Sequence, residues 1–349
     1  MNSYQFVALC VSKWHFNNLI AIINLHQLQR GKLFIISQSN FQNKSKYRLS
    51  RNYIEDYKYL FSEITFIETI YWKKTKIFKN LFLNPFFKEK VLMITPGGIN
   101  YGLLGNHFYK KKIKFCIIDE GTASHISPLN HLRISLKTTN HSVNLNIYFR
   151  RVLRVFIDKI IHAIFKPFDN KLFYKRDANF LVNKKISREL RRVYQQKNKN
   201  IKISERNILL IFDFFDKISD AKSIFDLYKS ILKTIPEDYH VFIKPHPNDL
   251  NKYAQKLVSE RITILDSRKD VESIVAEINP TNIISGISTS SFSIPAIFNI
   301  KTISFIPLYL KIPQIDQDYK IRFEYFLNHF SHYLILPKSL NNISQILKK

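Results

Sequence analysis

Residues 207–215 read NILLIFDFF and residues 240–247 read HVFIKPHP. Each is an apolar run of strand length that stops abruptly at polar or rigid residues. Between them, AKSIFDLYKSILKTI (221–235) places its apolar residues at helical spacing. A strand that is apolar on both faces is buried on both faces, so this strand–helix–strand unit predicts a parallel sheet covered by helices. The alternation continues through a helix around Asn251 to Glu260, ITILD (262–266), a helix VESIVAEI (271–278), NIISGIS (282–288), a helix from Ser291 and KTISFIP (301–307).

The same pattern occupies the first half of the chain. QFVALCV (5–11), KLFIIS (32–37), EITFIET (63–69), KVLMIT (90–95) and IKFCIID (113–119) are short β-rich runs with longer amphipathic segments between them. With 349 residues the chain exceeds the roughly 100–200 residues of a single domain. The expectation is an α/β protein of two Rossmann-like domains facing a cleft. The first spans residues 1–165, a basic connector 166–206 follows, and the second spans 207–349. In such sheets ligands bind at strand carboxyl ends and helix amino ends.

Charge is the dominant global property: 54 Lys and Arg stand against 27 Asp and Glu, for a formal net charge of +27. This attracts polyanions, whether nucleic acid, anionic lipid or acidic glycan. None of the basic clusters, such as KKTK (73–76), KKKIK (110–114) or the stretch from Lys171 to Arg206, sits in a helix-turn-helix, RNP or zinc-finger pattern, so nucleic acid is not expected as partner. No apolar run reaches the length of a membrane span and no secretory signal is visible, so a cytosolic protein is expected. The segment 148–168 is expected to form an amphipathic helix with Arg151, Arg154, Asp158, His162 and Lys166 on one stripe. It either packs on a domain or meets an anionic membrane surface. Cys10 and Cys116, both in apolar runs, read as reduced buried thiols.

Glycine is scarce, and of seven residues only Gly31 lies away from the loops and helix starts after strands. The loops TPGGINYG with Gly97 and Gly98, DEG with Gly121, and GISTSS with Gly286 are therefore places where backbone turns tightly or approaches a ligand. No GxGxxG or GxxxxGK[ST] is present, and no HExxH, CxxC or DxD supplies a metal site.

Three constellations carry candidate chemistry. Asp119 and Glu120 end a strand in a chain poor in acids. A turn or helix cap accounts for one of them, and the other can serve as a general base if burial and its neighbour raise its pKa. In FIKPHP (242–247) two prolines fix the backbone on either side of His246, after Lys244 and before Pro247. The imidazole held there is either structural or positioned to bind phosphate and exchange a proton near neutral pH. In GISTSSF (286–292) hydroxyls precede a helix, where Ser290 and Ser291 either cap it or combine with backbone N–H groups to hold a phosphate. An acid in one domain, with a histidine and a hydroxyl-rich helix start in the other, suits glycosyl transfer from a nucleotide sugar.

IIDEGTA, FIKPHP and GISTSSF, in this order, resemble the acid-acid-Gly, His-Pro and Ser-Ser motifs of the bacterial capsular polysialyltransferases, and the similarity extends over about 91–123 and 240–307. The resemblance implies a GT-B fold and an inverting, metal-independent transfer of sialic acid from CMP-sialic acid, with no cofactor. It implies that Glu120 deprotonates the acceptor, that His246 contacts the CMP phosphate as general acid, and that Ser290 and Ser291 hold that phosphate. Asp119, Gly121, Gly97, Gly98, Lys244, Pro247 and Gly286 complete the expected substrate-contacting set. The implied partners are an acidic glycan acceptor, the inner face of the bacterial inner membrane and capsule-assembly proteins. The short motifs are shared with lipooligosaccharide sialyltransferases, so single transfer is the alternative, and a non-catalytic polyanion binder is the reading from another class. Asn248 and Asp249 depart from the family, where a basic residue is expected, and ILLIFDFFDK lacks its polar pattern.

Overall fold

The computed structural model describes residues 5–38, 49–69, 92–96, 114–118, 153, 184–197, 206–213, 221–247, 249, 252–286, 288–313 and 315–348. The chain divides into two compact units; of the described residues, those up to Val193 belong to the first and those from Tyr194 onward to the second.

The first unit holds five parallel strands in the order β3-β2-β1-β4-β5. They are β1 (Phe6–Cys10), β2 (Gly31–Gln38), β3 (Phe61–Thr69), β4 (Leu92–Pro96) and β5 (Lys114–Ile118). β1 is buried along its whole length, as an apolar run at the centre of a parallel sheet requires. Helix α1 (Lys13–His26) starts at Ser12, whose hydroxyl accepts the His15 N–H, and ends at Gln27 in the left-handed region. Its Phe16 meets Tyr53 and Tyr57 edge to face, the former from α2 (Arg51–Glu55). Cys10 and Cys116 are free and buried, and burial pushes both thiols up, that of Cys116 to about 12. β4 ends at Pro96 and β5 at Ile118. Gly97, Gly98, Asp119, Glu120 and Gly121 directly follow these strands in sequence and lie outside the described residues, as does the 148–168 segment apart from Leu153.

Part of the expected connector is a helix, α3 (Lys184–Lys197). Its Ile186, Leu190, Val193 and Tyr194 are buried, while Lys184, Lys185, Arg188, Arg191 and Arg192 are exposed. A dense basic composition concealed an apolar stripe at helical spacing.

The second unit carries a six-stranded parallel sheet in the order β11-β10-β9-β6-β7-β8. Its strands are β6 (Asn207–Ile211), β7 (His240–Lys244), β8 (Ile262–Ile264), β9 (Asn282–Ser285), β10 (Thr302–Ser304) and β11 (Leu334–Ile335). Helix α4 (Ala221–Thr234) turns Ile224, Tyr228, Ile231 and Leu232 inward. Helix α5 (Val271–Ile278) is capped by Asp270, which accepts the Ser273 N–H at 3.1 Å, and helix α6 (Ser290–Phe298) follows β9. The short α7 (Ile306–Tyr309), α8 (Gln317–Phe330) and α9 (Leu340–Leu347) complete the unit. The helix expected around Asn251 to Glu260 is only a 3₁₀ turn, Ala254–Leu257. Lys252 adopts a left-handed φ of 51°, which a continuous α-helix does not admit.

The strand order positions the site. β6 lies between β9 and β7, so the chain runs outward from β6 in both directions, and the carboxyl ends at such a switch point are where open α/β sheets bind ligands. The loops after β7 and β9, which carry FIKPHP and GISTSSF, therefore flank the end of β6, about two strand spacings or roughly 10 Å apart.

Candidate functional site

Lys244 closes β7 and is buried. Its ammonium donates to the Pro245 carbonyl at 2.8 Å and to the Ser267 carbonyl at 3.0 Å, which fixes the strand's exit from below. His246 and Pro247 emerge half-buried from that base. The His246 carbonyl accepts the Asp249 N–H at 2.9 Å, and the Asp249 carboxylate accepts the N–H groups of Tyr253 and Ala254 at 3.1 and 3.3 Å. The acid that departs from the family pattern thus caps the next turn and holds the far side of the histidine loop.

The second loop is pinned by its own hydroxyls. Ser285 Oγ and Ser291 Oγ, both fully buried, are 2.6 Å apart. Ser291 Oγ also accepts the Ser288 N–H at 3.3 Å, and Ser288 Oγ accepts the Ser290 N–H at 3.3 Å. Ser291 is therefore turned into the protein. The Ser290 hydroxyl takes no partner among the described residues, and it sits in the first turn of α6, where the helix dipole favours an anion.

Beneath the two loops lie groups that the sequence pattern did not single out. Asp213, just past β6, is buried, and its carboxylate accepts hydrogen bonds from Tyr309 at 2.7 Å and Tyr228 at 3.2 Å. Tyr228 also accepts the Asp213 N–H at 2.9 Å. Burial, reinforced by the Asp213 charge, holds both phenols well above their ordinary pKa, so both keep the proton they donate. Gly286 touches this cluster: a Cβ there would fall 1.8 Å from Asp213 Oδ2 and 2.5 Å from the Tyr309 ring. A second buried acid, Glu272 of α5, accepts the Ser293 hydroxyl of α6. Burial first, and then the neighbouring Asp270 charge, push its pKa up to about 7. A lone acid closing an apolar strand was a usable signal for Asp213, parallel to Asp119 after β5. No local signal marked Tyr309.

Among the described residues no group of three or more His, Cys, Asp or Glu side chains is arranged to hold a metal ion, and no helix is long and apolar enough to cross a membrane.

Comparison with solved structures supports the fold. An alpha/beta-galactoside alpha-2,3-sialyltransferase from Photobacterium phosphoreum superposes with a TM-score of 0.51 at 15% identity, covering 99% of this chain and 100% of that one. The S. aureus MnaA–UDP structure gives 0.50 at 10% identity, covering 97% and 90%. No curated protein sequence matches the chain. The family model described as alpha-2,8-polysialyltransferase (POLYST) matches residues 2–306, a span that contains all three motifs. With two parallel Rossmann-like sheets of the GT-B kind, the chain is a glycosyltransferase and belongs to the alpha-2,8-polysialyltransferase family.

Proposed function

We propose that the protein transfers sialic acid from CMP-sialic acid, with inversion and without a metal, to a sialylated glycan, extending the polysialic acid of a capsule. The observation that carries this reading is the family match over residues 2–306, which takes in IIDEGTA, FIKPHP and GISTSSF together.

In the proposed step the acceptor hydroxyl attacks the anomeric carbon of sialic acid while Glu120 takes its proton. The bond from that carbon to the phosphate oxygen breaks, and the electron pair leaves with CMP. His246 donates a proton to the departing phosphate, and acid–base assistance of this kind is worth roughly 10²–10⁴-fold. The placement of Ser290 supports assigning its hydroxyl to the phosphate, with Ser291 shaping the turn from below. Lys244 supports the loop and adds positive potential beneath it. Gly97, Gly98, Asp119, Gly121, Pro247 and Gly286 are proposed to border the bound substrates.

The net charge of +27 supports an acidic acceptor, since each sialic acid residue carries a carboxylate. It equally supports a peripheral position on an anionic inner membrane, and the proposed partners there are capsule-assembly proteins. Calorimetric titration with nucleotides tests the donor assignment. CMP is expected to bind at least tenfold more tightly than UDP or GMP, and equal affinity for all three would reject CMP-sialic acid as donor.

A further inference from the structure

Asp213, Tyr228 and Tyr309 form a buried unit at the carboxyl end of β6, the strand on which the sheet's order turns. Three separate segments supply it: the end of β6, the middle of α4 and the end of α7. Two of its members, Asp213 and Tyr309, lie directly against Gly286, the first residue after β9. The Asp213 carboxylate and the Tyr309 ring lie so close to the Gly286 Cα that no side chain fits between them. From another direction the Ser304 hydroxyl donates to the Gly286 carbonyl at 2.9 Å. The peptide that opens the GISTSS loop is thus located from two sides, and the buried Ser285–Ser291 contact carries that placement into α6.

A carboxylate is a costly choice for a filler at this point. Its charge opposes any phosphate bound above it, and burial without partners penalises it further. Two phenol donors disperse the charge, and what remains is a directional brace whose lengths are set by hydrogen bonds rather than by loose packing.

We infer that Asp213, held by Tyr228 and Tyr309, is a positioning residue that sets the Gly286 backbone and the Ser288–Ser291 turn, and through them the grip on the donor's phosphate. The inference rests on the proposed function for the identity of that donor. Tyr309 lies beyond residue 306, where the family match ends, so the brace draws on the chain's last segment.

Tyr309→Phe removes one donor and keeps the ring, so the fold is expected to survive with a Tm shift of about 5 °C or less. Amide hydrogen exchange in a peptide covering 284–293 is expected to speed up about tenfold, while a peptide covering 240–245 stays within about twofold. The KM for CMP-sialic acid is expected to rise about tenfold with kcat changed by less than about threefold, the signature of lost binding rather than lost chemistry. Exchange and KM both within about twofold of the wild type would overturn the inference, as would faster exchange with an unchanged KM. Gly286→Ala gives a second arm. It is expected to lose donor affinity or to fail to fold, and adding Asp213→Ala is expected to restore part of what is lost. A Gly286→Ala protein with wild-type KM and exchange would overturn the inference. Should the wild type not use CMP-sialic acid, the donor assignment falls, and the exchange measurement alone then decides whether the brace exists.

Discussion

Ser293, in the first turns of α6, gives its buried hydroxyl to the carboxylate of Glu272, in the first turn of α5, and ties the two helices together inside the second unit. The acid is buried. Burial and Asp270 raise its pKa to about 7, and the Ser293 hydrogen bond and the Lys244 charge only partly offset them.

The sign of the resulting pH dependence follows. The folded pKa of about 7 exceeds the 4.5 of an ordinary glutamate, which stands for the unfolded chain, so between these limits the folded protein holds a proton that the unfolded chain has lost. Glu272 therefore makes the protein less stable as pH rises through that window, by about 3 kcal/mol in total, and contributes no further slope above it. Glu272→Gln keeps an acceptor for Ser293 and removes the titration. Denaturant midpoints at pH 5 and pH 8 are expected to converge in the variant, whose gain over wild type appears at pH 8. Equal slopes in the two proteins would contradict the assignment.

The two adjacent serines at the start of α6 are expected to behave differently. Ser291→Ala removes the partner of Ser285 and of the Ser288 N–H, and leaving buried polar groups unmatched costs about 1–3 kcal/mol. Ser290, also buried, has no such pair to lose, so Ser290→Ala is expected to cost less stability than Ser291→Ala while raising the donor KM. Urea unfolding and steady-state kinetics on the two variants separate the roles. Identical effects would refute the division.

In the first unit Gly31 opens β2 opposite Phe6 of β1, and a Cβ at Gly31 would fall 1.9 Å from the Phe6 ring. Gly31→Ala is expected to destabilise by about 1–3 kcal/mol, as overpacking of a closed core does. Adding Phe6→Leu is expected to recover part of that loss, and the denaturation midpoint reads both.

Glu120→Ala and His246→Ala are each expected to lower transfer by roughly 10²–10⁴-fold in a folded protein. They should differ in nucleotide binding. His246→Ala is expected to weaken CMP, whereas Glu120→Ala leaves CMP affinity unchanged, because the base is assigned to the acceptor. Full activity in either variant would remove its role.

Much of the fold was legible because apolar strands leave an unmistakable local pattern. Ten of the expected segments returned as strands, and VESIVAEI returned as α5, with Asp270 supplying its cap. The failures have physical causes. At Asn251 to Glu260 the composition favoured a helix, but the left-handed Lys252 and the Asp249 cap organise a tighter turn. In the basic connector the charges hid the apolar stripe of α3. For the site, glycine followed by hydroxyls identified the Gly286 loop. The brace beneath it was invisible because Asp213 meets partners 15 and 96 residues away, and such pairings leave no trace in local spacing.

The most direct test of the account is incubation of the purified protein with CMP-sialic acid and a fluorescent oligosialylated acceptor in the presence of a chelator, with products resolved by length. The account predicts a ladder of successively longer products whose formation slows as salt screens the acidic acceptor. A single added sugar would contradict chain extension, and the absence of any product would contradict the donor, the acceptor or metal independence together.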